Sequence, residues 1–455
     1  MLRLPALLLC APLALSAQIA RIDPVITRIV SEISSDRVGA NMQKLASFET
    51  RGNFTDPSQQ NRGIGAARRW IYDEFRSYSP KLEVSFDPFQ VKAKGRIFRD
   101  VEVVNVVAVL PGTTQPEKRI IISGHYDSLN IVRKAGSAAG AVDDMMDNEK
   151  SADAPAPGVT DDASGTAVVM EAARVLSQYQ FEKTIVFVTF AAEEIGLVGS
   201  TLYADRAKQR GEQIEAVLNN DIVGSETTNM GRTENSYVHV FSEEPMDSGP
   251  RAVARYVRET AMRYVPGFRV EPVFRADRFS RGGDHTAFTL DGFSAVRFTT
   301  PAENLPAQHS ANDTFDKASP TYTSQVARVN AAVAANLASA PVAPVVTREV
   351  TTGANKGSFL PMLERGKSQQ DAVLKWTDPT PAADLAGYSV VIRSTTQPWW
   401  DHEIFVGKVL EYTLPGVNID AVTLGVKAID NDGHESLVSA YVAPARVRNV
   451  IELRK

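Results

Sequence analysis

Apolar residues along the chain are grouped into short continuous runs. The strong runs occupy Val101–Leu110, 120–122 and 184–190, and weaker ones occupy 216–218 and 295–298. Runs of Val, Ile, Leu and Phe without polar alternation indicate strands that are buried on both faces. The pattern therefore predicts the interior strands of a sheet that is covered on both sides.

Between these runs, apolar positions recur at helical spacing. Residues 24–90 are predicted to be largely helical, and 66–75 show the spacing most clearly. Helices are also predicted over 165–179, with Ser164 as N-cap, and over 251–264. Strands that alternate with helices predict an α/β fold, in which a mostly parallel central sheet is flanked by helices.

The pattern changes at two further places. Residues 130–158 form an insertion rich in Ala, Asp and Gly, which is predicted to be a loop bordering the functional edge of the sheet. Residues 338–347 contain two prolines and are predicted to be a linker. Beyond this linker, residues 348–455 contain short β-rich segments separated by turn clusters, which predicts a C-terminal all-β sandwich. The first domain is then predicted to cover residues 18–337.

The N-terminus differs from the rest of the chain in composition. A short positive start at 1–3 is followed by an apolar run over 4–15 and by small residues at 16–17. This order is typical of a signal peptide over 1–17, and the run is too short to span a membrane. The sequence thus predicts a secreted or periplasmic protein with no stable membrane insertion after cleavage. The single cysteine, Cys10, lies in this segment, so the mature chain has no disulfide and no thiolate.

Charge excludes one class of partner. The 455 residues carry 54 acidic and 49 basic side chains, for a formal net charge of -5. The chain shows no basic stripe with interleaved aromatic residues, so nucleic-acid binding is not expected. The length fits two or three domains.

Candidate chemistry lies where the predicted strands end. In α/β sheets the functional site lies outside the carboxyl ends of the strands. Polar motifs follow the predicted strands or open the clearest helix, and they contain His125, Asp161, Glu193, Glu194, Asp221 and His309. Each motif alone is common, because acidic pairs are usually solvated and an Asp before a helix is usually a cap. Together they supply imidazole and carboxylate ligands without cysteine, which suits a catalytic zinc site.

The order of these motifs resembles a known family. HYD at 125–127, DDASG at 161–165, AEE at 192–194, NND at 219–221 and a late histidine resemble the zinc aminopeptidases of peptidase family M28, which include bacterial leucyl aminopeptidases. The resemblance covers roughly residues 30–335. It implies a secreted exopeptidase with two Zn²⁺ ions that acts on peptides, most simply at their N-termini.

The resemblance also implies a role for each residue. Asp161 would bridge the two metals, His125 and Asp221 would complete one site, and Glu194 and His309 would complete the other. The family pattern further implies a cis peptide bond between Asp161 and Asp162.

Two more residues receive catalytic roles from the same pattern. Glu193 would be the general base, and Asp127 would orient His125. Strand geometry agrees with this division, because adjacent side chains point to opposite faces and alternate ones point to the same face. A carboxylate on the second imidazole nitrogen fixes the tautomer of a metal-binding histidine.

Some positions depart from the family pattern. Gln308 precedes His309 where related bacterial enzymes often have a tyrosine, which leaves the oxyanion donor open. The 281–285 segment matches the family only in its last two residues, and His285 is interpreted as structural or supporting. The acidic pair at 143–144 is interpreted as part of a solvated loop rather than a calcium site.

The C-terminal segment carries a second, separate resemblance. Trp376, Tyr388 and the stretch 426–436 resemble a fibronectin type III module. The sequence leaves the role of this module open.

Alternatives to an aminopeptidase remain at this point. A carboxypeptidase would need a basic pocket, for which Arg275, Arg278 and Arg281 are candidates. A glutaminyl cyclase shares the fold but typically uses one zinc, and retention of all five ligands argues against it. A binding protein without catalysis would have lost Glu193 or one of the five metal ligands, and this chain retains all of them. Side-chain preference and oligomeric state are not specified by the sequence.

Overall fold

The computed structural model describes residues 21–136, 146–243, 247, 249–352 and 356–442. The predicted signal peptide and the acidic pair at 143–144 lie outside these residues. Within them, no helix combines the length and apolar character needed to cross a membrane.

The first part of the chain supplies a set of helices. They are α1 to α9, with bounds Pro24–Ser31, Ser35–Ala46, Gly63–Tyr78, Asn148–Ser151, Ser164–Leu176, Val198–Gln209, Pro250–Tyr264, His285–Leu290 and Pro320–Ser339. Most of α5 and α9 is buried, and their many small residues allow the two helices to pack against each other. These two helices cover one face of the central sheet.

The same part contains an eight-stranded sheet in the order β1-β2-β4-β3-β5-β8-β6-β7. Its strands are Glu83–Val91, Val101–Leu110, Gln115–His125, Lys183–Phe190, Gln213–Asn220, Tyr237–Ser242, Arg269–Val273 and Ala295–Thr299. The middle strands β4, β3, β5 and β8 are parallel, whereas β1, β2 and β6 pair antiparallel with their neighbours towards the centre. The predicted α/β class with a large central sheet is confirmed.

The structure corrects two local predictions. Residues 24–90 are not helical throughout, because β1 occupies Glu83–Val91 at the sheet edge, where most of its residues are at least partly exposed. Ser164 is the first residue of α5 rather than its N-cap. Its hydroxyl instead donates to the carbonyl of Thr160 at 2.8 Å and accepts from the amide of Val223 at 3.1 Å.

The C-terminal part is all β and contains only antiparallel pairs among the described residues. Its strands β9 to β17 are Thr347–Glu349, Phe359–Pro361, Leu363–Arg365, Ala372–Lys375, Leu385–Ser394, His402–Gly407, Glu411–Leu414, Val422–Asp430 and Ser439–Ala440. A three-stranded and a four-stranded sheet enclose a core in which the rings of Trp376 and Tyr388 lie 5.5 Å apart. The predicted C-terminal sandwich is confirmed at this level.

Aromatic and arginine side chains join the C-terminal sheets to the first part. The ring of Trp399 lies 5.8 Å from that of Phe274, and the guanidinium of Arg258 lies 4.3 Å from the Trp399 ring. Arg255 donates to the carbonyl of Pro398 at 2.7 Å. Helix α7 is therefore attached to the sandwich by side chains that combine stacking with hydrogen bonds.

A buried histidine joins the two parts at a second place. His434 Nδ1 lies 2.6 Å from Asp430 Oδ2, and its Nε2 lies 3.0 Å from Oδ2 of Asp23, the residue that caps α1. Burial alone would lower the pKa of His434, but the two carboxylates outweigh it and raise the pKa to about 9. The protonated histidine thus bridges two acidic groups that are distant in the sequence.

This bridge gives an expected pH dependence of stability. A histidine with a folded-state pKa above its unfolded value of about 6.5 stabilises the protein fully below that pH, and the contribution is lost as the pH rises through about 9. We expect the free energy of unfolding of the wild type to decrease between pH 6.5 and 10. This decrease should exceed that of His434→Gln by on the order of 1–3 kcal/mol. Urea denaturation across this range measures the difference, and parallel curves for the two proteins would contradict it.

Candidate metal centre

The fold brings the predicted site residues to one edge of the central sheet. His125 is the last residue of β3, and Asp221 directly follows β5. Glu194 lies in the turn after β4, Asp161 in the irregular turn before α5, and His309 in the loop after β8. Each segment leaves the sheet at the carboxyl end of a parallel strand or approaches it there, which is why residues far apart in sequence meet.

His125, Asp161, Glu194, Asp221 and His309 form a cluster, and Asp161 occupies its middle. Its Oδ1 lies 3.3 Å from His125 Nε2, and its Oδ2 lies 3.1 Å from His309 Nε2. His309 Nε2 is also 3.1 Å from Glu194 Oε2, and His125 Nε2 is 3.8 Å from Asp221 Oδ1. One carboxylate oxygen therefore faces each histidine, which is the arrangement that a ligand shared by two metal ions requires.

The donor atoms form two overlapping groups. His125 with Asp161 and Glu194 is one, and His125 with Glu193 and Asp221 is the other; the donor atoms of each group lie within 4.8 Å of one another. His125 Nε2 and Glu194 Oε1 are buried but make no hydrogen bond within the described part of the chain. Buried polar atoms without partners are costly, so both atoms fit the role of metal ligands.

The electrostatics of the cluster favour a cation. Burial raises the pKa of the Glu193 carboxyl well above its ordinary value, and the negative charges of Asp221 and Glu194 add to the effect. The Glu194 carboxylate, in turn, raises the pKa of His309 well above its ordinary value. Crowded carboxylates of this kind are unfavourable alone and are relieved by a divalent ion.

Comparison with known proteins assigns the family. The model of peptidase family M28 matches residues 105–334. A protein of Pyrenophora teres f. teres, described as a probable zinc metalloprotease, is 33% identical over 93% of this chain and 88% of its own length. The chain belongs to peptidase family M28.

Solved structures resemble this M28 peptidase in fold. The LapA aminopeptidase of Legionella pneumophila has a TM-score of 0.52 at 22% identity, covering 69% of this chain and 75% of its own. The glutaminyl cyclase of Porphyromonas gingivalis has a TM-score of 0.50 at 18% identity, covering 66% and 98%. Proteins with different names therefore share the scaffold, and the fold alone does not select among them.

Asp127 connects two segments of the M28 site. Its carboxylate lies 3.4 Å from His125 Nδ1, and its own carbonyl lies 3.2 Å from the same nitrogen. The same carboxylate accepts from the amides of Glu193 and Glu194, both at 3.2 Å, and from Asn53 Nδ2 at 2.7 Å. It therefore fixes the histidine ring and the Glu193–Glu194 turn relative to each other.

Strand alternation does not separate the side chains of Glu193 and Glu194, because neither residue lies in a strand. Strand β4 ends at Phe190, and Ala192 has a positive φ of 64°, so Glu193 and Glu194 lie in a turn. The turn, held by Asp127, directs both side chains towards the cluster. Glu193 consequently appears in one of the two potential metal-binding groups, which the sequence did not predict.

The residue after Asp161 has a supporting role. The peptide bond between Asp161 and Asp162 is cis, as the family resemblance implies. The Asp162 carboxylate accepts from the amides of His125 at 3.2 Å, Gly165 at 2.8 Å and Ile222 at 3.2 Å. It thus joins β3, the start of α5 and the segment after β5.

Asp313 holds the other side of the Asp161 turn. Its carboxylate accepts from the amide of Thr160 at 3.0 Å, from the Thr160 hydroxyl at 2.7 Å and from the amide of Asp161 at 2.9 Å. Burial raises its pKa to about 6. No local pattern singles out this residue, because its partners lie about 150 positions earlier.

Arg51 is fully buried behind the same turn. It donates to the carbonyls of Tyr126 at 2.7 Å, Pro157 at 2.6 Å and Gly158 at 2.8 Å. Burial lowers its pKa to about 10. The sequence gives no signal for Arg51, since it lies in a short polar segment that resembles a surface turn.

Arg297 supports Asp221 from within β8. Its Nη2 lies 2.8 Å from Asp221 Oδ1, and its Nη1 lies 2.9 Å from Asp277 Oδ2. The side chain is fully buried. A single arginine inside an apolar strand was the available signal, because buried arginines are almost always paired.

The cleft that leads to the cluster is bordered by charged side chains. Arg278 and Arg281 both pair with Glu303, at 3.1 and 2.7 Å. Gln308 donates to Glu303 at 3.2 Å and accepts from Arg281 at 3.2 Å. Arg275 is exposed, and its guanidinium lies 4.1 Å from the Phe279 ring.

The remaining histidines do not join the cluster. His285 is buried, and its Nε2 lies 2.9 Å from the carbonyl of Ala276, in keeping with the supporting role expected for it. His239 packs between the rings of Tyr237 and Phe241, and His402 is exposed.

Proposed function

We propose that this M28 peptidase is a secreted zinc-dependent exopeptidase with two Zn²⁺ ions, and that it is an aminopeptidase. The observation that carries the proposal is the position of Asp161, with one carboxylate oxygen facing His125 and the other facing His309. The name of the Pyrenophora relative and that of the Legionella aminopeptidase support zinc and N-terminal cleavage, respectively.

The chain offers a complete ligand set for two ions. Asp161 is shared, His125 and Asp221 complete one site, and Glu194 and His309 complete the other. When bound, zinc ions polarise a carbonyl oxygen and lower the pKa of water towards about 7.

Glu193 supplies the proton transfers in this proposal. Its carboxylate is half-buried at the cluster and lies in one donor group with His125 and Asp221, so it can reach a water molecule bound there. One Glu193 carboxylate oxygen accepts the proton of the attacking water and later donates it to the leaving amine. Asp127 positions the Glu193 amide and the His125 ring for these steps.

The charges around the cleft favour a free amino group over a free carboxylate. Arg278 and Arg281 share Glu303, and Arg278 also pairs with Asp277 at 3.0 Å, so part of their positive charge is compensated. Arg297 is paired with Asp221 and Asp277. With the ligand carboxylates neutralised by the two ions, Glu193 is the carboxylate at the cluster left to attract the ammonium group of a peptide N-terminus.

Blocked and free peptides test the proposed activity. The metal-stripped enzyme, restored with zinc, should hydrolyse a peptide with a free N-terminus at least about tenfold faster than its N-acetylated form, since the blocked form lacks the ammonium charge. A third substrate with an amidated C-terminus should be cleaved like the free peptide. Equal rates for the acetylated and free forms would exclude an aminopeptidase, and sensitivity to the C-terminal amide alone would indicate a carboxypeptidase.

The proposal includes the remaining sequence-based assignments. We propose a signal peptide over 1–17, a peptidase domain over 18–337, a linker over 338–347 and a fibronectin type III-like module over 348–455. N-terminal sequencing of the exported protein would test the first of these, with Gln18 expected as the first residue.

A further inference from the structure

A groove beside α6 lies near the amino-terminal ends of β3 and β5, away from the metal cluster. Its volume is about 260 Å³, and we name it the arginine groove after part of its lining: Ser85, Asp87, Arg119, Tyr203, Arg206, Arg210 and Glu212. Arg119 and His125 both belong to β3 and are six residues apart, so the strand separates the groove from the cluster by about 20 Å. The arginine groove is therefore a site distinct from the metal centre.

Arginines outnumber carboxylates in the arginine groove. Arg206 donates to both carboxylate oxygens of Asp87, with 2.8 Å between Nη2 and Oδ2, and Arg119 donates to Glu212 at 3.0 Å. Arg210 is exposed, and its guanidinium makes no ion pair or hydrogen bond within the part of the chain that the structure describes. This third arginine leaves the groove with excess positive charge, which favours an anion.

Tyr203 presents a hydroxyl without a partner to the same groove. The residue is only 6% exposed, and among the described residues its hydroxyl makes no hydrogen bond. Burial raises the pKa of Tyr203 to about 12, with Glu212 adding to the effect and Arg119 opposing it, so the phenol lies near these charged groups and keeps its proton. An unpartnered donor in a buried side chain is unfavourable, and this one fits a contact to a ligand oxygen.

The arginines near the end of α6 have a second explanation, which Tyr203 does not share. Arg206 lies in the last turn of this helix and Arg210 directly follows it, where basic side chains offset the helix dipole. Tyr203 carries no charge and lies in the middle of the helix, so the dipole does not account for its unpartnered hydroxyl. The two observations together point to a negatively charged ligand.

The arginine groove also offers hydrogen-bond acceptors. Glu212 uses Oε2 for its pair with Arg119, while its Oε1 accepts no hydrogen bond from any described residue. The Ser85 hydroxyl is exposed and likewise has no partner in the described ranges. Such acceptors suit ligand hydroxyls, which a bare sulfate ion lacks, and the volume leaves room for a larger body beside one oxyanion.

We propose that the arginine groove binds a small hydroxylated molecule that carries one oxyanion group, such as a sugar phosphate or a sugar acid. Arg210 and Tyr203 donate to the oxyanion, and Glu212 and Ser85 accept from the hydroxyls. Arginine suits phosphate and carboxylate groups because its planar fork matches their oxygen atoms. This binding does not depend on the reaction at the metal cluster.

Two conservative substitutions remove the proposed donors. Arg210→Gln removes one exposed charge, and Tyr203→Phe removes only a hydroxyl. Arg232→Gln is the matched control, because Arg232 is an exposed arginine in the loop between β5 and β6 and does not line the arginine groove. Isothermal titration calorimetry of each zinc-loaded protein is carried out with glucose 6-phosphate, glucuronate, glucose and inorganic sulfate.

The expected result is one acidic sugar bound per chain in the wild type and in Arg232→Gln. Arg210→Gln should raise the Kd about tenfold or more, and Tyr203→Phe should raise it about threefold or more, as expected for the loss of hydrogen bonds to a charged group. Glucose should not bind, since it lacks the oxyanion. Sulfate should bind at least about tenfold more weakly than the acidic sugar, since it makes no contact with Glu212 or Ser85.

Three outcomes would overturn the proposal. Neither acidic sugar binds the wild type in the first, and in the second the Kd stays unchanged in both groove variants, which would place the anion elsewhere, for example at the zinc ions. In the third, sulfate binds as tightly as the acidic sugars, which would indicate an adventitious ion only. Peptide hydrolysis is not a readout of this experiment, so failure of the proposed function would leave each of these outcomes distinguishable.

Discussion

Replacing Glu193 with Gln is expected to preserve bound zinc while lowering kcat by about 10²- to 10⁴-fold, the range that a general base contributes. The amide keeps the size of the side chain, so the turn held by Asp127 remains in place. It cannot accept the proton of the attacking water. Zinc content by mass spectrometry and kcat on a free peptide measure the two effects separately.

A matched control separates the base from a general effect of charge. Glu215 is a half-buried glutamate at the opposite end of β5, paired with Lys183 at 2.8 Å. Glu215→Gln should leave kcat unchanged. Unchanged turnover in Glu193→Gln would remove Glu193 as the base, and loss of zinc would assign it to the metal-binding group that contains His125 and Asp221.

Replacing Asp161 with Asn is expected to reduce the zinc stoichiometry below two and to lower kcat by about 10³-fold or more, because metal ions contribute several kcal/mol to such reactions. Asp161 is the carboxylate that faces both histidines, so its charge acts on both proposed sites. The difference in melting temperature between the zinc-loaded and stripped forms should also shrink, since ligand binding to the folded state would weaken.

The stability measurement does not depend on activity. Burial alone would raise the pKa of the Asp161 carboxyl, but hydrogen bonds from His125 and His309 hold it well below its ordinary value in the stripped form, so Asp161→Asn should make the stripped protein less stable than stripped wild type. Asp205→Asn, on the exposed side of α6, serves as control and should change neither zinc content nor stability. Wild-type zinc stoichiometry in Asp161→Asn would contradict the shared-ligand assignment.

The interior of the fold could be predicted from the sequence because burial on both faces leaves a simple pattern. Strand β4 is buried along its whole length, and its residues form a continuous apolar run. Strands β1 and β7 lie at the edges of the sheet and are mostly partly exposed. Their sequences therefore contain charged residues and a proline, which hide the strand pattern.

The part of the site that was predictable consists of residues at strand ends. His125 and Asp221 each lie three positions after an apolar run, so the sheet rule places them together without knowledge of distant contacts. Arg51, Asp313 and Arg297 each have a partner at the site that is distant in the sequence, at separations of 75, 153 and 76 positions. Such pairs depend on the folded arrangement of several segments, and no local spacing encodes them.

The contact between Trp399 and Phe274 has a thermodynamic consequence. Phe274 begins the segment that carries Arg278 and Arg281 to the cleft, and Trp399 belongs to the C-terminal sheets. The sandwich therefore acts on this segment as a tethered ligand, held at a high effective concentration by the covalent chain. By reciprocity, if binding of a molecule to the sandwich weakened this contact and thereby changed the affinity for substrate, the substrate would change the affinity for that molecule by the same factor.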